Sequence, residues 1–296
     1  MKAVRSLISR NLKLYFRDQT AVFFSLLAVL IVIVLYILFL ADIQVKIIQD
    51  SAEGMLAEKD ISYLVNSWIL AGLLSITTVT STLGAYGTMV KDTENRIRMD
   101  FASSPLKKWQ YPAASLLSAF FIGTTISLLA ALFYALFIVI KTGYCFTIVQ
   151  MLETILFICL SSLMNVALMG LIVSFLKTSS AFSSVSLVIG TIIGFLTGLY
   201  VPLGSLPSSV ARLIQGLPFM HIAAIFRQIL TKDAADICFK QAGKQALLSW
   251  QKSFGVILDI GNGTISLQTS LCYVLIILAI SLLLFCMNDS RKKRYL

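Results

Sequence analysis

The segment AASLLSAFFIGTTISLLAALFYALFIVI, residues 113–140, contains no charged side chain. About 20 apolar residues in an α-helix cross the roughly 30 Å hydrocarbon core of a membrane, and this segment exceeds that length. Five further apolar runs lie at about residues 21–41, 62–90, 151–176, 181–201 and 271–287. The sequence therefore predicts an all-α integral membrane protein, with six transmembrane helices in a single domain over residues 1–296.

The overall composition agrees with a chain that lies mostly within the bilayer. It is 58% hydrophobic and 13% charged, whereas an average soluble domain is about 45–50% apolar and about 25% charged. The net charge of +10 comes from basic residues at the ends of the apolar runs, not from one patch with interleaved aromatic residues. We therefore expect no nucleic-acid partner.

The basic residues also predict the orientation of the chain. With six spans both termini lie on one side, and the short loops and tails of that side hold fifteen Lys and Arg residues. The short loops of the other side hold three. Because Lys and Arg collect in short cytoplasmic loops, we expect a multi-pass protein with both termini in the cytoplasm.

An amphipathic segment precedes the first span. Apolar residues recur at helical spacing in this segment, and five basic residues lie among them. The apolar residues are Val4, Leu7, Ile8, Leu12 and Tyr15. This pattern is typical of a helix that lies in the membrane interface and is attracted to anionic headgroups. Membrane lipids are therefore expected partners of this segment.

Catalytic and metal-binding motifs are missing from the sequence. It contains no G-x-x-x-x-G-K-[ST] loop for a nucleotide phosphate and no G-x-S-x-G motif. Its one histidine, His221, reads as an ordinary loop or interfacial residue, and the five cysteines lack metal-type spacing. We expect no catalytic residue, metal or cofactor in this chain. A disulfide between Cys145 and Cys238 remains an open alternative.

One carboxylate, Glu153, falls inside a predicted span. It lies about one turn from the end of the fourth span, where a carboxylate reaches interfacial water. We favour this interfacial role over a proton or substrate site.

Small residues mark the second and fifth predicted spans. The second is rich in hydroxyls, including Thr77, Thr80 and Ser81, and these precede Gly84. They favour equally a polar path through the membrane and hydrogen bonds between packed helices. In the fifth, Gly190, Gly194 and Gly198 recur every four residues, which predicts a helix face for close packing within or between protomers.

The connector between the second and third spans is long and charged for a simple loop. It carries charges of both signs on a predicted short helix that ends at Ser104-Pro105, and the charged residues are Asp92, Glu94, Arg96, Arg98 and Asp100. Topological anchoring and docking of a soluble partner explain this pattern equally well. A second polar region, residues 202–268, contains two predicted helices at 207–217 and 220–232.

Three stretches together resemble the permease subunit of an ABC transporter of the type-2 exporter family. They are the basic entry with Arg17-Asp18 and Val22-Phe23-Phe24, the connector from Lys91 to Asp100 with Ser103-Ser104-Pro105, and the region from Tyr200 to Pro207 with Leu217-Pro218-Phe219-Met220-His221 and Phe226-Arg227. The resemblance covers nearly the whole chain. In one departure, Arg96 and Ile97 stand where many relatives have a glycine after the glutamate.

The resemblance implies a mechanism and a set of partners. The connector would be a coupling helix that sits in a cleft of a separate cytoplasmic ATPase, and that ATPase would bind ATP and Mg. A second permease copy or a paralogue would complete a dimer. Substrate, whether drug, peptide, lipid or glycan, would leave near the two-fold axis, so the second and fifth spans are candidates for the path or interface.

The resemblance also implies re-entrant helices between spans five and six. The residues that mark this region are Tyr200, Pro202, Pro207, Pro218 and His221. The short chain without an attached ATPase indicates a prokaryotic plasma membrane. Two alternatives remain: an ion-coupled secondary transporter, disfavoured by the few charges within the spans, and a membrane sensor or enzyme subunit.

Overall fold

The computed structural model describes residues 2–19, 22, 34, 57–107, 109–240, 243–259 and 263–292. Apart from two isolated positions, the predicted first span at 21–41 lies outside the described residues. The described part is almost entirely α-helical and includes one two-stranded hairpin. The predicted all-α class is confirmed.

The helices of the first two thirds of the chain alternate between long and short. They are α1 (Lys2–Arg17), α2 (Glu58–Ala85), α3 (Gly87–Glu94), α4 (Ile97–Ser103), α5 (Gln110–Thr142), α6 (Ile148–Ser174) and α7 (Ser179–Leu196). The last third contains α8 (Ser208–Gln215), α9 (Pro218–Leu230), α10 (Lys232–Cys238), α11 (Gly243–Ser253), β1 (Leu258–Asp259), β2 (Thr264–Ile265) and α12 (Leu267–Lys292).

Five helical segments among the described residues are long and apolar enough to cross a membrane. They are α2 continued by α3, then α5, α6, α7 and α12. Their positions correspond to predicted spans two to six, by length and composition. Helices α8 and α9 pass the same test only as a pair, and they meet at an angle of 85°. Pro218 is the first residue of α9, a position where its missing N–H costs no hydrogen bond.

The fifth span is shorter than predicted. Helix α7 ends at Leu196, and the amides of Leu199 and Tyr200 both donate to the carbonyl of Gly194. Gly198, two residues after the end of the helix, has φ +63°, a left-handed conformation that glycine adopts without steric cost. The backbone therefore leaves the helix before Tyr200, although the apolar sequence continues to Val201.

Helix α2 is the centre of the bundle and packs against α5, α6, α7 and α9. Its contact with α5 is close, because a Cβ added at Gly123 would lie 2.4 Å from Cγ2 of Thr82. Hydrogen bonds between side chains link it to two of its neighbours: Tyr134 of α5 donates to Asn66 at 3.2 Å, and Asn165 of α6 donates to Thr78 at 3.1 Å. Polar side chains thus fix how the apolar helices pack.

Helix α9 lies inside the bundle and contacts α2, α6 and α12. The expectation that His221 is an ordinary loop or interfacial residue is wrong. His221 is buried in α9, its Nδ1 is 3.1 Å from Oγ of Ser270, and its ring stacks on Tyr273. The apolar residues around it place this helix, and His221 with it, in the core.

The last third of the chain forms a small polar layer that the sequence did not predict in full. Helices α10 and α11 and the β1–β2 hairpin follow α9, and the backbone amide of Asp259 donates to Gln215 at 2.7 Å. The five cysteines are free thiols in the described structure. Cys145 is exposed, whereas burial raises the pKa of Cys238 to about 12, and the two do not form a disulfide.

Candidate coupling site

The connector between α2 and α5 consists of two short helices, not the single helix predicted. Helix α3 continues α2 after Tyr86, and a turn at Asn95 and Arg96 redirects the chain into α4. Arg96 has φ +61° and is the one non-glycine residue with positive φ in the described part of the chain. A left-handed non-glycine residue costs about 1–2 kcal/mol, so the turn carries local strain.

Asp92 faces the protein interior. Its residue is 3% exposed, and its carboxylate accepts two hydrogen bonds from Arg10, at 2.7 and 2.8 Å. The Tyr111 hydroxyl donates a third at 3.2 Å. The carboxylate in turn raises the pKa of Arg10, whose guanidinium lies 5.4 Å from the centre of the Phe101 ring. Asp92 thereby joins α1, α3, α4 and α5, and it has no surface left for a partner.

Glu94 joins the connector to α7. Its carboxylate accepts a hydrogen bond from the backbone amide of Ser179 at 3.2 Å and another from the Ser179 hydroxyl. Because Ser179 is the first residue of α7, the negative charge lies at the positive end of that helix dipole. The Phe182 ring packs beside Gly87 and adds an apolar contact between α3 and α7.

The outward surface of the connector comes from α4 and the turn before it. Arg96, Met99 and Asp100 are exposed, and Met99 reaches 48% exposure. Arg98 is half-buried, with its guanidinium 5.8 Å from the centre of the Tyr111 ring. The five charged residues singled out in the sequence thus divide into a pair bonded to other helices, buried Asp92 and exposed Glu94, and an outward group around Met99.

The hydroxyls of α2 mostly bond to their own helix. Thr77 donates to Leu73 at 2.8 Å and Thr80 to Ile76 at 3.1 Å, while Ser81 donates to the carbonyl of Thr77. Ser81 also lies 3.4 Å from the carbonyl oxygen of Gly123 on α5. Thr77 and Ser81 are buried within the chain, which favours packing over a polar path at these two positions. Thr80 and Gly84 are partly exposed.

The three glycines at four-residue spacing do not share one helix face. Gly190 has no neighbouring heavy atom among the described residues within 4 Å of an added Cβ. An added Cβ at Gly194 would lie 2.2 Å from the Tyr200 ring, so that glycine is used for packing within the chain. Gly198 lies beyond the end of α7. Helix termination at Leu196 divides the predicted motif.

Arg227 is a central residue whose role the sequence did not reveal. It is fully buried and donates to the carbonyls of Thr197 and Gly198, at 2.8 and 3.0 Å, and to that of Gly255 at 3.3 Å. Its guanidinium lies 4.8 Å from the centre of the Trp68 ring on α2. The one feature of the sequence that indicates this role is a single arginine within the apolar stripe of the predicted helix at 220–232. Arg227 clamps the end of α7 to α2 and to the loop after α11.

The other residues of the predicted re-entrant region surround this clamp. The Tyr200 ring packs edge-on against Phe195 at 5.2 Å. Pro202 precedes a 3-10 turn at Leu203–Ser205, and Pro207 precedes α8. Proline has no backbone N–H, so these two residues cannot continue the helical hydrogen-bonding pattern between α7 and α9.

The architecture is that of a multi-pass membrane protein with an interhelical connector at one end and a bent helix pair at the other. A family model described as "ABC-2 family transporter protein" matches residues 40–287. The chain therefore belongs to the ABC-2 transporter family and is a membrane permease component, not a catalytic subunit. A comparison with curated proteins found no match. The matched region includes the connector and the bent pair but not α1.

Proposed function

We propose that this permease is the membrane subunit of an ATP-driven exporter in a prokaryotic plasma membrane. It pairs with a separate cytoplasmic ATPase, which binds ATP and Mg, and moves a drug, peptide, lipid or glycan outward. Family membership supports the transporter class. The excess of basic residues at the end of the bundle that holds α1 and the connector supports a cytoplasmic location for that end and for both termini.

The observation that carries the proposal is the attachment of the connector. Helix α4 presents exposed Met99 between charged residues, while Asp92 and Glu94 attach the adjoining α3 to α1 and α7. Charge-assisted hydrogen bonds of this kind hold their geometry more firmly than neutral ones. A push on α4 by a closing ATPase dimer would therefore move several helices together.

A second permease copy, or a paralogue, is expected to cover α7. Only 11% of the most apolar window of α7 is buried within the chain. Its exposed side chains include hydroxyls at membrane depth, which are Ser183, Ser184 and Thr191. Hydroxyls at this depth favour helix–helix association over contact with lipid chains.

The first test is copurification. We expect the chain, expressed with its genomic neighbours and purified in nanodiscs, to bring down a stoichiometric ATPase whose activity depends on this permease. A clean preparation without ATPase from the same cells would contradict the exporter and favour an ion-driven carrier or a sensor.

Point variants then test the docking surface. Met99→Glu should abolish ATPase copurification, because it places a charge at the centre of the exposed surface of α4. Leu248→Glu is the matched control, since Leu248 is an apolar residue of similar exposure, 41%, on α11 at the other end. Full retention of a coupled ATPase by the Met99 variant would show that docking occurs elsewhere.

A further inference from the structure

Helix α1 uses its two faces differently. Leu7, Asn11 and Tyr15, spaced by four residues, are buried against the bundle. Asn11 donates to Ser118 of α5 at 3.3 Å. The apolar stripe that predicted an interfacial helix is thus largely used for packing within the protein, and the basic face of the helix is turned outward.

The outward face of α1 carries a shallow, open groove of ≈ 570 Å³, and every described residue that lines it belongs to α1. Four cations, two hydroxyls and one apolar side chain line it: Arg5, Arg10, Lys13, Arg17, Ser6, Ser9 and Leu14. Positions 5, 9, 13 and 17 lie on one stripe of the helix, because residues four apart are neighbours on its surface. Cations and hydroxyl donors therefore face the same open space.

Three of the four cations are not neutralised locally. Arg10 is paired with Asp92, but no carboxylate in the described residues pairs with Arg5, Lys13 or Arg17. Phosphate oxygens accept hydrogen bonds from guanidinium, ammonium and hydroxyl groups together. The groove thus has the charge and the donors that a phosphate group needs.

The depth of the groove indicates which phosphate it meets. The exposed large apolar residues of α5 begin at Leu117 and end at Ile140, a helical distance of about 35 Å that matches a hydrocarbon core with slight tilt. Ser118, which contacts Asn11, lies at the start of that zone. The part of α1 around Asn11 therefore lies at the boundary between hydrocarbon and headgroups.

We propose that this groove binds the headgroup of an anionic phospholipid. Lys13 and Arg17 contact the phosphate, Arg5 and Ser9 extend the donor set, and exposed Leu14 and Phe16 lie beside the acyl chains. Apolar side chains next to cations at this depth fit a lipid better than an acidic protein surface. Helix α1 precedes the region matched by the family model.

The test measures lipid preference on the whole purified chain, without an ATPase. Spin-labelled phosphatidylglycerol and phosphatidylcholine are titrated separately into the protein in neutral nanodiscs, and the motionally restricted fraction is read by electron paramagnetic resonance. We expect the wild type to prefer phosphatidylglycerol. Lys13→Gln with Arg17→Gln should reduce that preference about tenfold or more, because each cation near an anionic surface contributes about fivefold.

The matched control is Lys240→Gln with Lys244→Gln, two exposed lysines near α11. It removes the same charge and should keep the wild-type preference. Lys13→Arg with Arg17→Lys preserves the charge and should keep most of the preference for phosphatidylglycerol. That result would show that the helix tolerates substitution at these two positions. An unchanged preference in the Lys13/Arg17 glutamine variant, or an equal loss in the control, would overturn the site. Unchanged lipid binding by the Lys13/Arg17 glutamine variant, together with loss of the ATPase when that variant is coexpressed with its genomic neighbours, would reassign the groove to protein docking.

Discussion

Helices α2 and α7 look alike in sequence but occupy opposite situations in the molecule. Both are apolar, both contain several small hydroxyl residues, and each has one terminus at the connector. Of the most apolar window of α2, 89% is buried within the chain, whereas the corresponding value for α7 is 11%. The difference shows that a transmembrane sequence does not reveal by itself which helix is the core of a bundle.

The two helices meet at both of their ends. At one end, Glu94 in the segment that continues α2 accepts hydrogen bonds from the first residue of α7. At the other end, Arg227 bonds to the carbonyls that follow α7 and stacks on Trp68 of α2. Helix α7 is therefore attached at its ends to α2 and its continuation, while most of its apolar window is exposed in the described structure.

Breaking the Arg227 clamp should have the largest effect. Arg227→Met removes the donor from three buried carbonyls, and we expect a loss of about 3–5 kcal/mol in the free energy of unfolding. The measurement is unfolding in detergent micelles. Arg212→Met, at an exposed arginine of α8, is the control and should be near neutral. A near-neutral Arg227 variant would mean that α7 does not depend on this attachment.

Filling space against α2, from Gly123 of α5, and on α7, at Gly190, distinguishes the packed core from the open surface. Gly123→Leu forces a side chain into the α2–α5 contact at Thr82 and should cost about 2–3 kcal/mol. Gly190→Leu on α7 should change the stability of a single chain by less than about 0.5 kcal/mol. If a second copy covers α7, Gly190→Leu will shift the oligomeric state measured by light scattering. Equal destabilisation by both would remove the distinction between the two helices.

The two carboxylates that attach the connector to other helices, buried Asp92 and exposed Glu94, allow a finer comparison. Asp92→Asn weakens a buried ion pair with Arg10, whose side chain is 30% exposed, and should cost about 2 kcal/mol. Glu94→Gln affects an exposed contact at a helix terminus and should cost about 0.5–1 kcal/mol. The order of the two unfolding midpoints checks this prediction. A larger effect at Glu94 would place the main attachment of the connector at α7.

The smallest expected change is a gain. Arg96→Gly places glycine at the left-handed turn and should raise the free energy of unfolding by about 1 kcal/mol. Arg98→Gly, inside α4, is the contrasting variant and should lower it by a similar amount. Destabilisation by Arg96→Gly would show that the Arg96 side chain contributes more to the fold than its backbone strain costs.

The coupling region was predictable in outline but not in its contacts. The density of charge identified the connector, and Ser104-Pro105 marked the end of its helix, where Ser104 is extended as expected before proline. The inward direction of Asp92 was not predictable, because it depends on Arg10, which lies 82 residues earlier in the chain. Arg227 was hidden for the same reason: its partners come from α2, from the end of α7 and from the loop after α11.

The sequence by itself determined that this chain crosses the membrane as helices and roughly where spans two to six lie. That information is local, because each uncharged run must satisfy its own backbone hydrogen bonds in the bilayer. Only the tertiary structure decided that α2 is the centre and α7 the open surface, that Gly198 leaves its helix, and that α1 turns its cations outward. Those outcomes depend on which helices pack together. Apolar segments of similar composition pack differently because a few polar contacts and close backbone approaches decide which neighbour each one takes.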